Sequence, residues 1–248
     1  MRGRTAQVQD AFVSSTVMQF IEKNSFNVRS AVYQLNRDDT GLEFLIFPMI
    51  HVGSRKFYEE ISERLSGCDL ILAEGVTSKR ANLLTLSYRV VKKIRRMDLV
   101  TQQDGMKVES FRHKILNTDM EGPLFDERWS SLPFMLRAQL IILIPVYVVY
   151  LFLFGTRETL AENIALEDLP SSEEILNDSF EGLDDLLVAE RDQKLIEWLR
   201  KFDDEGSEKI KRIGILYGAF HMRGTMRFLM QELKYRVSKA EWMTVFDL

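Results

Sequence analysis

Two segments of the sequence repeat the same order of features, and this repeat constrains the fold most strongly. In each segment an apolar run typical of a β-strand is followed within four residues by a histidine and then by a helical pattern. The first run, Leu42 to Phe47, leads to His51, and the second, Arg212 to Gly218, leads to His221. In open α/β sheets, ligands gather at the carboxyl ends of the strands. We therefore expect the two histidines to share one site.

Further strands extend both segments into a sheet. An apolar strand from Asp69 to Gly75 follows the first helical pattern, which covers about residues 54–66. Strand, helix and strand at this spacing form a βαβ unit with parallel strands. A closing strand from Trp242 to Phe246 completes a second unit after His221. The sequence thus predicts an α/β fold, with two βαβ-type units in a mixed, mainly parallel sheet, as one domain over residues 1–248.

A helical insertion at about residues 80–205 separates the two units. Its first part, residues 80–98, reads as a basic helix with an inner stripe of leucine and valine. Ser171 and Glu174 have the spacing of a capping box, which predicts that a helix starts there. A second helix is expected from about Leu183 to Phe202.

The insertion contains an apolar segment at residues 132–154, whose most apolar part runs from Leu140 to Phe154. As a helix, that part would be about 22 Å long, which is shorter than the ~30 Å hydrocarbon core of a bilayer. A single membrane span would also separate His51 from His221. The remaining alternatives are a hairpin bent at Pro145, a buried helix, or a face for a second copy of the chain. An apolar helix that contacts a membrane surface or forms a homodimer is favoured over plain core.

Composition excludes several classes of function. A net charge of −4 and short basic clusters give no sign of a nucleic-acid surface. The chain lacks a Gly-x-Ser-x-Gly elbow and a glycine-rich phosphate loop after a strand. Cys68 is the one cysteine, and we expect it to be an inert packing residue. No apolar segment follows the charged start Met1 to Arg4, so we expect no secretory signal and a cytoplasmic or membrane-associated protein.

Charged residues accompany the two histidines. Glu74 lies at the end of the strand from Asp69 to Gly75, in the same βαβ unit as His51, so both should emerge at one edge of the sheet. Arg191 lies within the apolar stripe of its helix, and a buried arginine needs a partner. Two interpretations stay open. The arginine forms a local pair or extends its head group to water, or Glu190 and Arg191 point into a polar site.

These residues resemble a known family. The segments that carry the resemblance are Ile50-His51, Leu70 to Glu74, Glu190-Arg191-Asp192, and Gly218-Ala219-Phe220-His221 with its continuation Met222-Arg223-Gly224. Their order and spacing are similar to those of the TraB/Tiki family of metal-dependent peptidases, from about residue 31 to the end. Asp119 also looks like an acid of the family type.

The resemblance implies a divalent metal ion, manganese or cobalt, and hydrolysis of a peptide bond in a small peptide or at a protein terminus. It implies His51 and His221 as metal ligands, with Glu74 as a third ligand or the general base. Glu190 would be an outer carboxylate that orients a histidine. Arg191 would stabilise the oxyanion or hold a substrate carboxylate.

The first motif departs from the family pattern Gly-x-x-His, because Pro48 stands where the glycine belongs. Proline fixes φ and lacks an N–H, so a turn that depends on glycine cannot be copied unchanged. The alternative function is therefore a catalytically inactive, membrane-associated binding or scaffold protein on the same fold. A displacement of His51 away from His221 would favour that alternative.

Overall fold

Strands from both halves of the sequence interleave in one sheet. A computed structural model describes residues 18–167, 185–206 and 209–248. The strands in this part of the chain are β1 (Ile21–Lys23), β2 (Asn27–Asn36), β3 (Glu43–Met49), β4 (Val52–Gly53), β5 (Leu70–Ala73), β6 (Val100–Thr101), β7 (Ile115–Asn117), β8 (Arg212–Gly218) and β9 (Arg236–Asp247). Seven of the described strands form a sheet in the order β1-β2-β3-β8-β5-β7, with β9 paired to β2.

The centre of this sheet is parallel. Strand β8 pairs in parallel with β3 on one side and with β5 on the other, and β5 pairs in parallel with β7. Strand β2 is antiparallel to β1, β3 and β9. The predicted α/β fold with a mixed, mainly parallel sheet is confirmed. Because β8 lies between β3 and β5, a strand of the second unit separates the two strands of the first.

Helices cover the sheet and connect its strands. The described helices are α1 (Arg55–Ser66), α2 (Lys79–Leu84), α3 (Leu86–Val91), α4 (Gln102–Gly105), α5 (Gly122–Ser131), α6 (Phe134–Phe154), α7 (Arg157–Glu167), α8 (Glu190–Glu205) and α9 (Met222–Arg227). Helix α1 begins where the hydroxyl of Ser54 accepts a hydrogen bond from Phe57 N, and it ends at Gly67. It matches the predicted helix at 54–66, and its apolar stripe is buried against the sheet.

Two predicted helices differ from the structure. The predicted basic helix at 80–98 is divided into α2 and α3, because Thr85 has a ψ angle of 5° that interrupts the helix. The helix predicted from Leu183 begins with a wide turn, Asp185–Ala189, that leads into α8. The capping-box helix expected at Ser171 lies outside the described residues.

The apolar segment forms one helix, α6. Pro145 lies inside it without ending it, so the hairpin alternative is wrong. A proline removes one helical hydrogen bond, and the helix continues past it to Phe154. Only Leu136 and Leu151 of this helix are buried, so it is not a buried core helix either. Among the described residues it is the one helix long and apolar enough to cross a membrane, judged by length and composition.

Candidate functional site

The carboxyl ends of the three central strands meet at one rim of the sheet. Strand β3 leads to His51, β5 leads to Glu74, and β8 leads to His221. The backbone N–H of Glu74 donates to the carbonyl of Leu216 at 3.1 Å, and the N–H of Gly218 donates to Glu74 Oε2 at 2.6 Å. These bonds fix the glutamate beside the end of β8, where the second histidine begins the next helical segment.

His221 is held in a defined orientation. It is buried, and its Nδ1 lies 2.6 Å from Asp192 Oδ1 on α8. Because a carboxylate accepts, Nδ1 donates, and the second ring nitrogen is left for another partner. That nitrogen, Nε2, lies 3.8 Å from Glu74 Oε1. The histidine therefore directs Nε2 to the side of the site where the glutamate lies.

Burial and the neighbouring His221 change the pKa of Asp192 in opposite directions. Burial raises the pKa of the Asp192 carboxyl, and the hydrogen bond with His221 and the charge of Arg191 oppose this rise. The net direction is upward. The negative charge of Asp192 is therefore stabilised by its basic neighbours His221 and Arg191.

Arg191 joins two acids from two different strand ends. Its Nε and one terminal nitrogen donate to the two oxygens of Asp119, at 2.8 and 2.6 Å, and the same terminal nitrogen donates to Glu74 Oε1 at 2.6 Å. The arginine is only 9% exposed, and Nη1 donates to the carbonyl of Leu187. Burial alone would lower the pKa of Arg191, but Asp119 and Glu74 outweigh it and raise that pKa.

Glu74 is the most strongly perturbed acid of the site. Burial would raise its pKa, but the charges of Arg191, His221 and His51 and the Gly218 hydrogen bond outweigh burial and lower the pKa to about 2. The carboxylate is therefore ionised at neutral pH. It accepts from Arg191 and Gly218 and still faces His221 Nε2.

His51 lies at the same rim, beside α3. Its ring lies against the ring of Tyr88 from α3, with 4.7 Å between the centroids, and its carbonyl accepts from Gln102 N. Its charge contributes to the lowered pKa of Glu74, which places it in the same electrostatic environment. Within residues 18–167, 185–206 and 209–248, no three His, Cys, Asp or Glu side chains are grouped closely enough to hold a metal ion. The structure thus brings His221 and Glu74 together and leaves His51 beside them.

Pro48 does not disrupt the end of β3. It lies within the strand, opposite Tyr217 of β8, and the strand continues to Met49. Its carbonyl accepts a hydrogen bond of 2.6 Å from the Ser30 hydroxyl. The strand therefore still delivers His51 to the rim, although proline occupies the position of the motif glycine.

Glu190 does not take the position that the resemblance implied. Its carboxylate accepts from Arg128 Nε of α5 at 3.0 Å, and its side chain is about one-third exposed. Successive residues of a helix point about 100° apart, so a helix that directs Arg191 and Asp192 into the site directs Glu190 outward. Asp192, and not Glu190, is the carboxylate that orients His221. Asp192 belongs to the same motif, but the motif alone does not set the rotation of the helix.

Two glycines allow the carboxylates to approach the backbone. A Cβ at Gly224 would lie 2.5 Å from Asp192 Oδ2, and a Cβ at Gly218 would lie 3.2 Å from Glu74 Oε2. The first distance is so short that the Asp192 carboxylate would have to move to admit a side chain at that position. The continuation of the second histidine motif through Gly224 therefore has a physical role in positioning Asp192.

The lone cysteine takes no part in the site. Cys68 is buried in the core, and burial raises the pKa of its thiol to about 11. A thiol with so high a pKa is a poor nucleophile at neutral pH. The third histidine, His113, is exposed on a short helical turn away from the strand ends.

No protein-family model, no curated protein and no solved structure gives a match to this chain. The resemblance to TraB/Tiki peptidases therefore remains a prediction that rests on the sequence motifs.

Proposed function

We propose that the chain is a metal-dependent hydrolase that cleaves a peptide bond in a small peptide or at a protein terminus, with its reaction centre at His221, Asp192, Glu74 and Arg191. The observation that carries the proposal is the 2.6 Å hydrogen bond from His221 Nδ1 to Asp192, which leaves Nε2 facing Glu74 in a buried polar site. Carboxylate–histidine pairs of this kind fix the tautomer and raise the basicity of the remaining nitrogen.

The side chains at the rim are of the types that bind a divalent ion, although within the described residues no three of them lie close enough together to hold one as they stand. Two imidazoles and a carboxylate are ligands that such ions accept, and Asp192 supplies the outer hydrogen bond that a ligating histidine usually makes. His221, Glu74 and His51 would hold the ion. When bound, the ion would polarise the substrate carbonyl and lower the pKa of a bound water. A carboxylate oxygen has more than one lone pair, so Arg191 on Glu74 Oε1 does not use up the acid.

The remaining side chains have separate tasks. Nε2 of His221 would bind the ion, and the hydrogen bond of Nδ1 to Asp192 would hold the imidazole in the orientation that binding needs. Arg191 keeps a positive charge at the rim that stabilises negative charge on a reacting carbonyl or holds a peptide carboxylate. Its two acids hold the guanidinium in place, which limits the reorganisation needed during the reaction.

The test compares bound metal and peptide hydrolysis in four proteins: the wild type, His221→Ala, Asp192→Asn and His113→Ala. Loss of a ligand should abolish bound metal and cleavage in His221→Ala. Loss of the orienting charge should weaken metal binding or activity about 10- to 100-fold in Asp192→Asn. His113→Ala changes an exposed histidine and should behave as the wild type. Unchanged metal content and cleavage in His221→Ala would refute the proposal.

A second candidate is a catalytically silent binding or scaffold protein. The observation that favours it is the closed network of Arg191, Asp119 and Glu74, in which each charge already has a partner. Under this alternative, Arg191→Met lowers the stability of the protein, while no peptide is cleaved by the wild type with manganese, cobalt or zinc. Cleavage by the wild type that His221→Ala abolishes would exclude it.

A further inference from the structure

Helix α6 presents the largest exposed apolar surface of the described residues. Its exposed apolar side chains include Phe134, Met135, Ile141, Ile142, Leu143, Val146, Tyr147, Val149, Tyr150, Phe152, Leu153 and Phe154. No charged residue follows Arg137 in this helix. An exposed apolar patch of this size marks an interaction site on a soluble protein.

The exposed surface is apolar around the helix and not only along one stripe. The helix has 21 residues, so it is about 31 Å long. One side lies against α2 and α3, Leu136 near its start packs beside Trp129 of α5, and most of its other side chains are exposed. A helix with so little polar surface is suited to an apolar medium.

The fold prevents this helix from crossing a bilayer. Strands β3 and β5 precede α6 in the chain, and β8, which follows it, lies between them in the sheet. Both ends of the helix are also tied to the folded body. Leu136 packs in a small core with Trp129, and Arg96 donates to the carbonyls of Phe152 and Gly155. A span would place the two ends on opposite sides of the membrane and divide the sheet.

Basic side chains flank the apolar surface. Arg89, Lys92, Lys93 and Arg96 lie on or directly after α3, which packs along α6, and all four are exposed. Lys92 pairs with Asp104, and Arg96 bonds to the α6 carbonyls. Within the described part of the chain, Arg89 and Lys93 form no ion pair. Apolar surface beside basic side chains is complementary to a bilayer with anionic headgroups.

From these features we propose that α6 docks the protein on one leaflet of a membrane that contains anionic lipids, lying in the interface with α3 directed to the headgroups. A homodimer through the same face is less suitable, because a twofold interface would bring the basic side chains of both copies together. The docked surface adjoins the candidate site, since Tyr88 of α3 contacts His51. The membrane proposal is independent of the hydrolase proposal.

The full chain is tested by co-sedimentation with vesicles of phosphatidylcholine alone or with about 30% phosphatidylserine. The wild type should bind the anionic vesicles at least tenfold more tightly than the neutral ones. Val146→Glu/Val149→Glu changes side chains that are 59% and 57% exposed and should lower binding more than tenfold without unfolding the protein. Arg89→Glu/Lys93→Glu should lower binding to the anionic vesicles alone, to the level of the neutral ones.

The matched control is Phe26→Glu, which places a charge at a 77% exposed aromatic residue in the β1–β2 turn. It should bind vesicles as the wild type does. Absence of vesicle binding by the wild type would overturn the proposal. If the wild type then sedimented as a dimer that Val146→Glu/Val149→Glu dissociates, a second copy would be the partner instead.

The orientation of α6 relative to the bilayer is tested with Ser131→Cys and Thr156→Cys, at exposed positions just before and just after the helix. The native Cys68 is buried, so it should not react. A membrane-impermeant maleimide added outside the vesicles should label both new cysteines equally. Labelling of one end only would show a span and contradict interfacial docking.

Discussion

Charged residues usually lie at the surface of a protein and apolar residues in its core. The rim at the strand ends and helix α6 each depart from one half of this rule. The rim buries Arg191, Asp119, Glu74 and His221, whereas α6 exposes a dozen large apolar side chains. Both arrangements cost free energy in an isolated soluble protein, since unpaired buried charges and exposed hydrocarbon are unfavourable. The rim offsets this cost with ion pairs inside the chain. Among the described residues, helix α6 has no comparable cover for its exposed apolar side chains, and the membrane surface proposed above would provide it.

The largest expected effect is on the rim. Arg191→Met removes the cation that neutralises Asp119 and Glu74, which leaves two buried carboxylates without their main partner. We expect the free energy of unfolding to fall by about 3–5 kcal/mol, measured by chemical denaturation. The control is Arg128→Met, which removes a half-exposed partner of Glu190 and should cost less than about 1 kcal/mol. Equal losses in the two variants would contradict the role given to the buried network.

A somewhat smaller effect depends on pH. Because the folded-state pKa of Glu74 is about 2, below the usual 4.5, its ionised form stabilises the fold above pH 4.5. Glu74→Gln should therefore lower the unfolding free energy by about 3 kcal/mol at pH 7. The difference from the wild type should shrink as pH falls from 4.5 toward 2, because the wild-type carboxylate then becomes protonated. A difference that does not change over this pH range would mean that charge is not the cause.

Gly224→Ala tests how tightly the rim is packed. The added Cβ would lie 2.5 Å from Asp192 Oδ2, so the carboxylate must move away from His221. We expect a loss of about 1–3 kcal/mol in unfolding free energy, together with a lower rate of peptide hydrolysis. In Gly67→Ala the nearest atom lies at an ordinary 3.4 Å, and this control should be almost neutral. Full activity in Gly224→Ala would show that Asp192 need not stay in place.

The smallest expected change in unfolding free energy is for a substitution on α6. Val146→Thr replaces an exposed apolar side chain by a polar one of similar size. The unfolding free energy in solution should change by less than about 0.5 kcal/mol, because nothing is lost from the core. A loss comparable with that of Arg191→Met would show that the helix is covered within the folded chain.

Individual strands and helices could be predicted because each leaves a pattern in its own stretch of sequence. Apolar runs identified β3, β5 and β8, and the four-residue spacing of apolar residues, with Ser54 as N-cap, identified α1. The order of the parallel strands has no such local signal. The position of β8 between β3 and β5 results from contacts distant in sequence, and it is what brings His221 beside Glu74.

The predicted site was incomplete for a related reason. The sequence left open whether Arg191 points into the site, and the family resemblance favoured Glu190 as the acid beside it, whereas the rotation of α8 places Asp192 there. That rotation is set by packing against α9 and the preceding turn, so the sequence did not distinguish Asp192 from Glu190. Asp119 becomes a partner of Arg191 only because β7 pairs with β5 at the sheet edge.

The most direct test of the central claim follows the ring nitrogens of the three histidines by NMR while zinc, a diamagnetic divalent probe, is added. We predict that His221 carries a proton on Nδ1, and that the NMR signals of His221 Nε2 and of the His51 ring shift with one equivalent of zinc while those of His113 do not. Rings of His51 and His221 that stay unchanged, or that respond no more than His113, would contradict a shared metal-binding site at the rim.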